Sequence, residues 1–231
     1  VRRRVSWAEL RHQTAQLRPL LRRAGVTCGD RVAAMLPNVP EGVIGMLATS
    51  SLGAVWSSCS PDFGVQGVLD RFGQIEPKVL IVCDGYWYAG KQNDVSAKVA
   101  SLAQQLPTVE RIIVTSYLGT ADTLVTSLNA SLSGGRRADT WDDAVAGTTP
   151  EPMTFERFPF DHPLYILFSS GTTGVPKCIV HSAGGTLLKH LSEHQMHADV
   201  RPGDRVMYFT TLGWMMWNWL VSGLANGATL L

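Results

Sequence analysis

The sequence predicts an α/β protein with a doubly wound, mostly parallel sheet flanked by helices. Three observations carry this. Helix-like and strand-like segments alternate from one end of the chain to the other. The strand candidates are short, continuous apolar runs such as "KVLIVC" and "RIIV", the pattern of strands covered on both faces. The 231 residues, 45% hydrophobic and 17% charged, are enough for one sizeable core.

Element by element, Ser6-Trp7-Ala8-Glu9 has the form of a capping box. Leu10, Leu17, Leu20 and Leu21 then recur at near-helical spacing, predicting a helix over 7–24 ended by Gly25. "DRVAAMLPN" is a strand stopped by Pro37, 40–53 an apolar helix, and "AVWSS" a strand. Ser60-Pro61 reads as an N-cap with proline at the first helical position, opening a helix to Ile75. "PKVLIVCD" is a buried strand, followed by a helix at about 93–105 and the strand "RIIVT". Residues 115–158 read as one helix and a long surface connection containing the turn-like "SGGRRAD". Next come the strands "PLYILFSS" and "CIVHS", a helix over 183–197, the strand "DRVMYFT", and an apolar helix from near Trp214. No internal repeat or low-complexity linker divides the chain.

Composition excludes several functions. The formal net charge of +1 gives no reason to expect nucleic acid or an anionic membrane as partner, and the basic run Arg2 to Arg4 reads as a solvated end. Cys28, Cys59, Cys83 and Cys178 are widely spaced and form no C-x-x-C pair, so free thiols of a reducing, cytoplasmic compartment are expected. The basic start leads into an amphipathic helix, unlike a signal peptide. Val206 to Leu231 carries no charge and is longer than the ~20 residues that span a bilayer. Its asparagines, threonines and three glycines fit a strand–helix–strand unit of an α/β core better.

The most informative stretch is "SSGTTGVPK", Ser169 to Lys177, which follows the strand "YILF". Open α/β sheets bind ligands at the carboxyl ends of their strands. Gly171 and Gly174 permit close backbone approach, Ser169, Ser170, Thr172 and Thr173 supply hydroxyl donors, and Lys177 supplies a positive charge. Donors and a cation in a glycine-rich turn suit a polyphosphate. The Walker pattern is absent, because the glycines are too close and no lysine follows one.

"ILFSSGTTGVPK" resembles the AMP-binding signature of the adenylate-forming superfamily, which includes acyl-CoA synthetases, peptide-synthetase adenylation domains and luciferases. "GDRVAAMLPNVPE" and "GVIGMLATSSLGAVWSS" resemble its early helix–strand units, so the likeness runs through all 231 residues. "WSSCSPDFG", "CIVHSAGGTLLKHLSEHQMH" and "GWMMWNWL" are most similar to the acetoacetate-activating branch. The resemblance implies ATP, Mg²⁺ and coenzyme A as cofactors and a two-step reaction. A carboxylate and ATP give an acyl-adenylate and pyrophosphate, and coenzyme A then displaces AMP. It implies that Ser169 to Lys177 hold the phosphates, with Lys177 as the catalytic cation, and that Gly213, Trp214, Met216 and Trp217 border the acyl pocket. Related acetyl-CoA synthetases carry a Trp-Val-Thr-Gly-like stretch there, so the pocket wall is expected to differ. It further implies that "DGYWYAGK" lies on the coenzyme A side, where Lys91 and Tyr88 replace two arginines. An acetyl- or propionyl-type synthetase is the alternative within the family. Val1 and the strand-like "GATLL" at the other end read as the limits of a partial adenylation domain, lacking the small C-terminal domain with its lysine.

One pattern points to a different class. "HLSEH" fits the H-x-x-E-H pattern of zinc peptidases, with His190 and His194 on one helix face and His197 a turn further on. A solvated polar helix face is the competing reading. His181, after "CIV", reads as a hydrogen-bonded core or rim residue.

Overall fold

The computed structural model describes residues 3–169 and 174–231. In chain order the elements are α1 (Trp7–Arg23), β1 (Arg31–Met35), α2 (Pro40–Ser50), β2 (Val55–Cys59), α3 (Val65–Ile75), β3 (Val79–Cys83), β4 (Gly85–Tyr88), β5 (Lys91–Asp94), α4 (Ser96–Gln105), β6 (Arg111–Thr115) and α5 (Ala121–Ser131). There follow β7 (Arg137–Thr140), α6 (Trp141–Ala146), β8 (Pro163–Phe168), β9 (Cys178–Ser182), α7 (Ala183–Ser192), β10 (Arg205–Val206), α8 (Met215–Ser222) and β11 (Thr229–Leu230).

Seven strands form one sheet in the order β7-β6-β3-β1-β2-β8-β9. All neighbours are parallel except β8 and β9, which form an antiparallel edge. The two central strands, β1 and β3, are buried nearly throughout, as continuous apolar runs demand. Helix α1 packs on α2 and α6, while α3 packs on α4 and α4 on α5, giving the two covering layers. Close approach of α2 uses its glycines: a Cβ on Gly45 would stand 2.9 Å from the Trp56 ring.

Helix α1 is capped by Ser6, whose Oγ accepts from Glu9 N at 3.1 Å. Only that half of the expected box forms; the Glu9 carboxylate accepts from Gln13 Nε2 instead. Pro19 lies inside the helix and removes the donor for Ala15 O, and Glu151 N supplies a replacement at 3.4 Å.

Four expectations need correction. Helix α3 starts at Val65 with Gly64 as its N-cap, not at Pro61, because residues 61–63 form a turn held by Lys98 Nζ, which donates to Pro61 O and Phe63 O at 2.6 Å each. The stretch before α4 is the hairpin β4–β5, turning through Ala89 and Gly90 in the left-handed region (φ 48° and 76°). The connection after α5 contains edge strand β7 and α6, whose N-cap Thr140 accepts from Asp143 N at 3.1 Å. "DRVMYFT" contributes only Arg205–Val206, paired in parallel with Thr229–Leu230 across α8. That pairing accounts for the charge-free stretch 206–231 as strand, helix and strand. No helix among the described residues is long and apolar enough to cross a membrane.

Candidate functional site

The loop after β8 is the connection of the β8–β9 hairpin, and its two arms are tied together. Ser169 N donates to Lys177 O at 3.0 Å, and Lys177 N donates back to Ser169 Oγ at 3.2 Å. These bonds close the loop at its neck. The returning arm rests on α3, where Gln74 Nε2 donates to Pro176 O at 2.8 Å. Gly174 has φ 99°, a conformation that favours glycine. The Lys177 side chain is exposed. Ser170, Gly171, Thr172 and Thr173 lie outside the described residues.

Strand β2 lies beside β8 in parallel, so their carboxyl ends are adjacent. The segment before α8 is fastened there. Ser58 Oγ, buried, donates to Leu212 O at 2.7 Å. A Cβ on Gly213 would stand 3.4 Å from Ser60 N and 3.6 Å from Cys59 Cα. Thus Gly213 and the phosphate-type loop, far apart in sequence, meet at one end of the sheet. Trp214, the N-cap of α8, is extended and 66% exposed, and Met216 is half-buried. Trp217 differs: it is 1% exposed, and its Nε1 donates to Asn38 Oδ1 at 3.1 Å. It ties α8 to the loop after β1 and presents no surface to a pocket, which corrects the expectation that it borders one. Asn218 beside it is buried, with neither amide atom partnered among the described residues.

Cations gather near this end. The Arg71 guanidinium lies 4.6 Å from the Phe63 ring centroid and 5.9 Å from that of Phe168, the last residue of β8. Burial pushes the Cys59 thiol far up, against the opposing pull of Arg71 and Lys98. The sequence reading missed Arg71 and Lys98, since neither belongs to a motif.

Lys91 opens β5, paired with exposed Tyr88 across the hairpin at the carboxyl side of β3. The root of that hairpin is rigid. Buried Asp84 accepts from the backbone N–H groups of Tyr117, Leu118 and Thr120 at 2.7–2.9 Å. So Lys91 shares the carboxyl end of the sheet with Lys177, but β1 and β2 intervene between β3 and β8.

The histidines of "HLSEH" are buried, not solvated as expected. His194 is fully enclosed: Nε2 lies 2.9 Å from Trp219 O, and the ring stacks on the Trp219 indole at 4.2 Å. The helix passes from α to π geometry at Glu193–His197, which His197 ends. Burial lowers the His190 pKa to about 4, despite the nearby Glu193. Among the described residues no three His, Cys, Asp or Glu side chains are grouped to hold a metal ion. His181 packs against Tyr165 at 5.0 Å, and burial lowers its pKa too.

The family model of the AMP-binding enzymes matches residues 1–231. The chain belongs to the AMP-binding enzyme family. This AMP-binding chain is 59% identical over 229 residues to acetoacetyl-coenzyme A synthetase of Rhizobium meliloti, covering 98% of the chain and 34% of that protein. It is 45% identical to the acetoacetyl-CoA synthetase of Mus musculus and 41% identical to a malonamoyl-CoA synthetase of Penicillium aethiopicum, each over 98% of the chain. Among solved structures, acetoacetyl-CoA synthetase from Streptomyces lividans superposes with a TM-score of 0.88 at 46% identity, over 99% of the chain and 33% of that protein. The AMP-binding chain therefore spans about a third of the length of these relatives.

Proposed function

We propose that this chain is the phosphate-holding portion of an ATP-dependent acid–thiol ligase whose acid is acetoacetate. The observation that carries the reading is the meeting of the tied 169–177 loop with Gly213 and Trp214 at the carboxyl ends of neighbouring strands. A polyphosphate on the loop would then stand beside a surface suited to a small acyl group.

In the first step the acid's carboxylate oxygen attacks the α-phosphorus of ATP and pyrophosphate leaves. Charge builds on the leaving oxygens, and a fixed cation aimed there lowers the barrier. Lys177 is assigned this role, with Ser169, Ser170, Gly171, Thr172, Thr173 and Gly174 supplying neutral donors. Mg²⁺ enters with the nucleotide and spreads the same charge. In the second step the thiol of coenzyme A attacks the acyl carbon and AMP leaves. Lys91 and Tyr88 are assigned to the coenzyme A side, on the rigid β4–β5 hairpin. Gly213, Trp214 and Met216 are assigned to the acyl wall, backed by Trp217 from inside. The four free thiols fit action in the cytoplasm.

Acetoacetate and malonamate share a carbonyl β to the carboxylate. A chain related to synthetases of both is better suited to short β-carbonyl acids than to acetate or propionate. The test uses the full-length protein with ATP, Mg²⁺ and coenzyme A. AMP and thioester should form fastest with acetoacetate; equal or faster turnover of acetate would overturn the assignment of the acid. Absence of pyrophosphate exchange with every short acid would overturn the ligase reading.

A further inference from the structure

A cavity of about 380 Å³ lies at the opposite end of the molecule from the site above. Arg111 and Arg137, the first residues of β6 and β7, face each other across the parallel pair. Together with Arg23, from the last turn of α1, they line the cavity, beside Asp139, Asp143 and Ala144. Asp139 contacts both Arg111 and Arg137. Asp143 is committed elsewhere, its Oδ2 accepting from the Thr140 hydroxyl at 2.8 Å at the start of α6. Arg23 makes no ion pair among the described residues; its Nη1 and Nη2 donate to Gly147 O at 3.3 and 3.2 Å. Three guanidinium groups thus converge on a space whose two carboxylates leave one positive charge over. Their crowding is felt: burial lowers the Arg111 pKa most, Asp139 opposes this, and Arg137 and Arg23 lower it further by like-charge repulsion.

We propose that this cavity binds a phosphate group, taken either as the free ion or as a phosphate monoester. Guanidinium forks match phosphate oxygens in pairs of parallel hydrogen bonds. A dianion would relieve the repulsion among three arginines that a single shared carboxylate leaves in place. The cavity has room for a small organic group beyond the phosphate. Because Arg111 and Arg137 stand at the amino ends of their strands, the bound phosphate is distinct from one on the 169–177 loop. The proposal does not depend on the ligase reading.

The experiment is calorimetric titration of the full-length protein with inorganic phosphate, in a Lys177→Ala background so that the loop does not dominate the signal. Saturable binding is expected, weakened about tenfold or more by Arg23→Gln or Arg137→Gln. Asp139→Asn should tighten binding, since it removes the carboxylate that competes for two of the arginines; a purely structural ion-pair cluster would show no such gain. Glycerol 3-phosphate in a parallel titration separates the sources: tighter binding than phosphate assigns an ester, equal or weaker binding the free ion. No saturable binding, or binding unchanged in the Arg23→Gln, Arg137→Gln double variant, overturns the site. Both arginines are peripheral, so circular dichroism of that double variant should confirm a native fold and keep the result readable.

Discussion

Lys177 is exposed and hangs on a loop whose neck is made by its own backbone, so its side chain can change without disturbing the hydrogen bonds that shape the loop. Lys177→Ala in the full-length protein is therefore expected to slow adenylate formation ~10²–10³-fold, the usual cost of removing one charge stabiliser. Affinity for the acid should change far less. Pyrophosphate exchange at the wild-type rate in the variant would remove Lys177 from its assigned role. His190 makes a different prediction, about stability. Its imidazole stays neutral in the fold down to about pH 4, while an unfolded chain takes up the proton near the ordinary value of 6.5. The folded pKa is depressed, so its contribution to stability is intact above pH 6.5 and falls away between 6.5 and 4, by up to about 1.4 kcal/mol per pH unit. Denaturant unfolding of the wild type and His190→Leu at pH 7, 5.5 and 4.5 checks this. The wild type should lose stability more steeply than the variant, and parallel losses would contradict it.

Among the elements, α8 separates two tryptophans that the sequence presents as equals. Trp214 precedes the helix in extended conformation and so does not share its periodicity; Trp217 is inside, gripped by Asn38. Density of aromatic residues signals that a segment matters but not which ring turns inward. Trp217→Ala should destabilise the protein by about 3–5 kcal/mol, as large-to-small core changes do. Met216→Thr should leave stability within about 1.5 kcal/mol but shift the ratio of kcat/KM for acetoacetate over acetate, by roughly 1–3 kcal/mol in activation free energy. Thermal unfolding and competition kinetics separate the two outcomes. If both variants unfold alike and neither moves the ratio, α8 is core alone. The same contrast explains what was legible. β3 and β6 were plain because continuous apolar runs reflect burial on both faces. The β4–β5 hairpin and β7 were missed because "GYWY", "KQND" and "RADT" lie at edges, where water tolerates polar side chains and the pattern fades. The chemistry of the 169–177 loop was legible from its residue types, but not its neck, which exists only because β9 returns antiparallel. The burial of His190 and His194 left no local signal, because their cover comes from Trp219 and the 215–226 region.

At the scale of the whole molecule, the β9 edge stands out. Ile179 and Val180, on opposite faces of the strand, are both exposed, as are Leu187 and Leu188 on α7 and Met207 and Phe209 beyond it. Adjoining apolar surface of this kind marks a face made for contact. Residues 1–231 expressed alone are expected to bind ATP weakly and to form no acyl-CoA, because holding reactants in register supplies ~7–11 kcal/mol of catalysis and the chain covers only a third of its relatives. Sustained release of AMP and thioester by the isolated chain would refute this. The antiparallel return of β9 has one more consequence. Where a phosphate loop leads directly into a helix, the positive end of the helix dipole points at the anion and is only partly screened. Here the loop leads into a strand, and α7 begins only after β9 ends at Ser182. The long-range attraction for a nucleotide then rests on solvent-facing cations such as Lys177, which mobile ions shield within a Debye length of about 10 Å at 0.1 M. Capture of ATP by the full-length protein should accordingly slow steeply as ionic strength rises from 0.01 to 0.3 M in stopped-flow measurements, and Lys177→Ala should flatten that dependence.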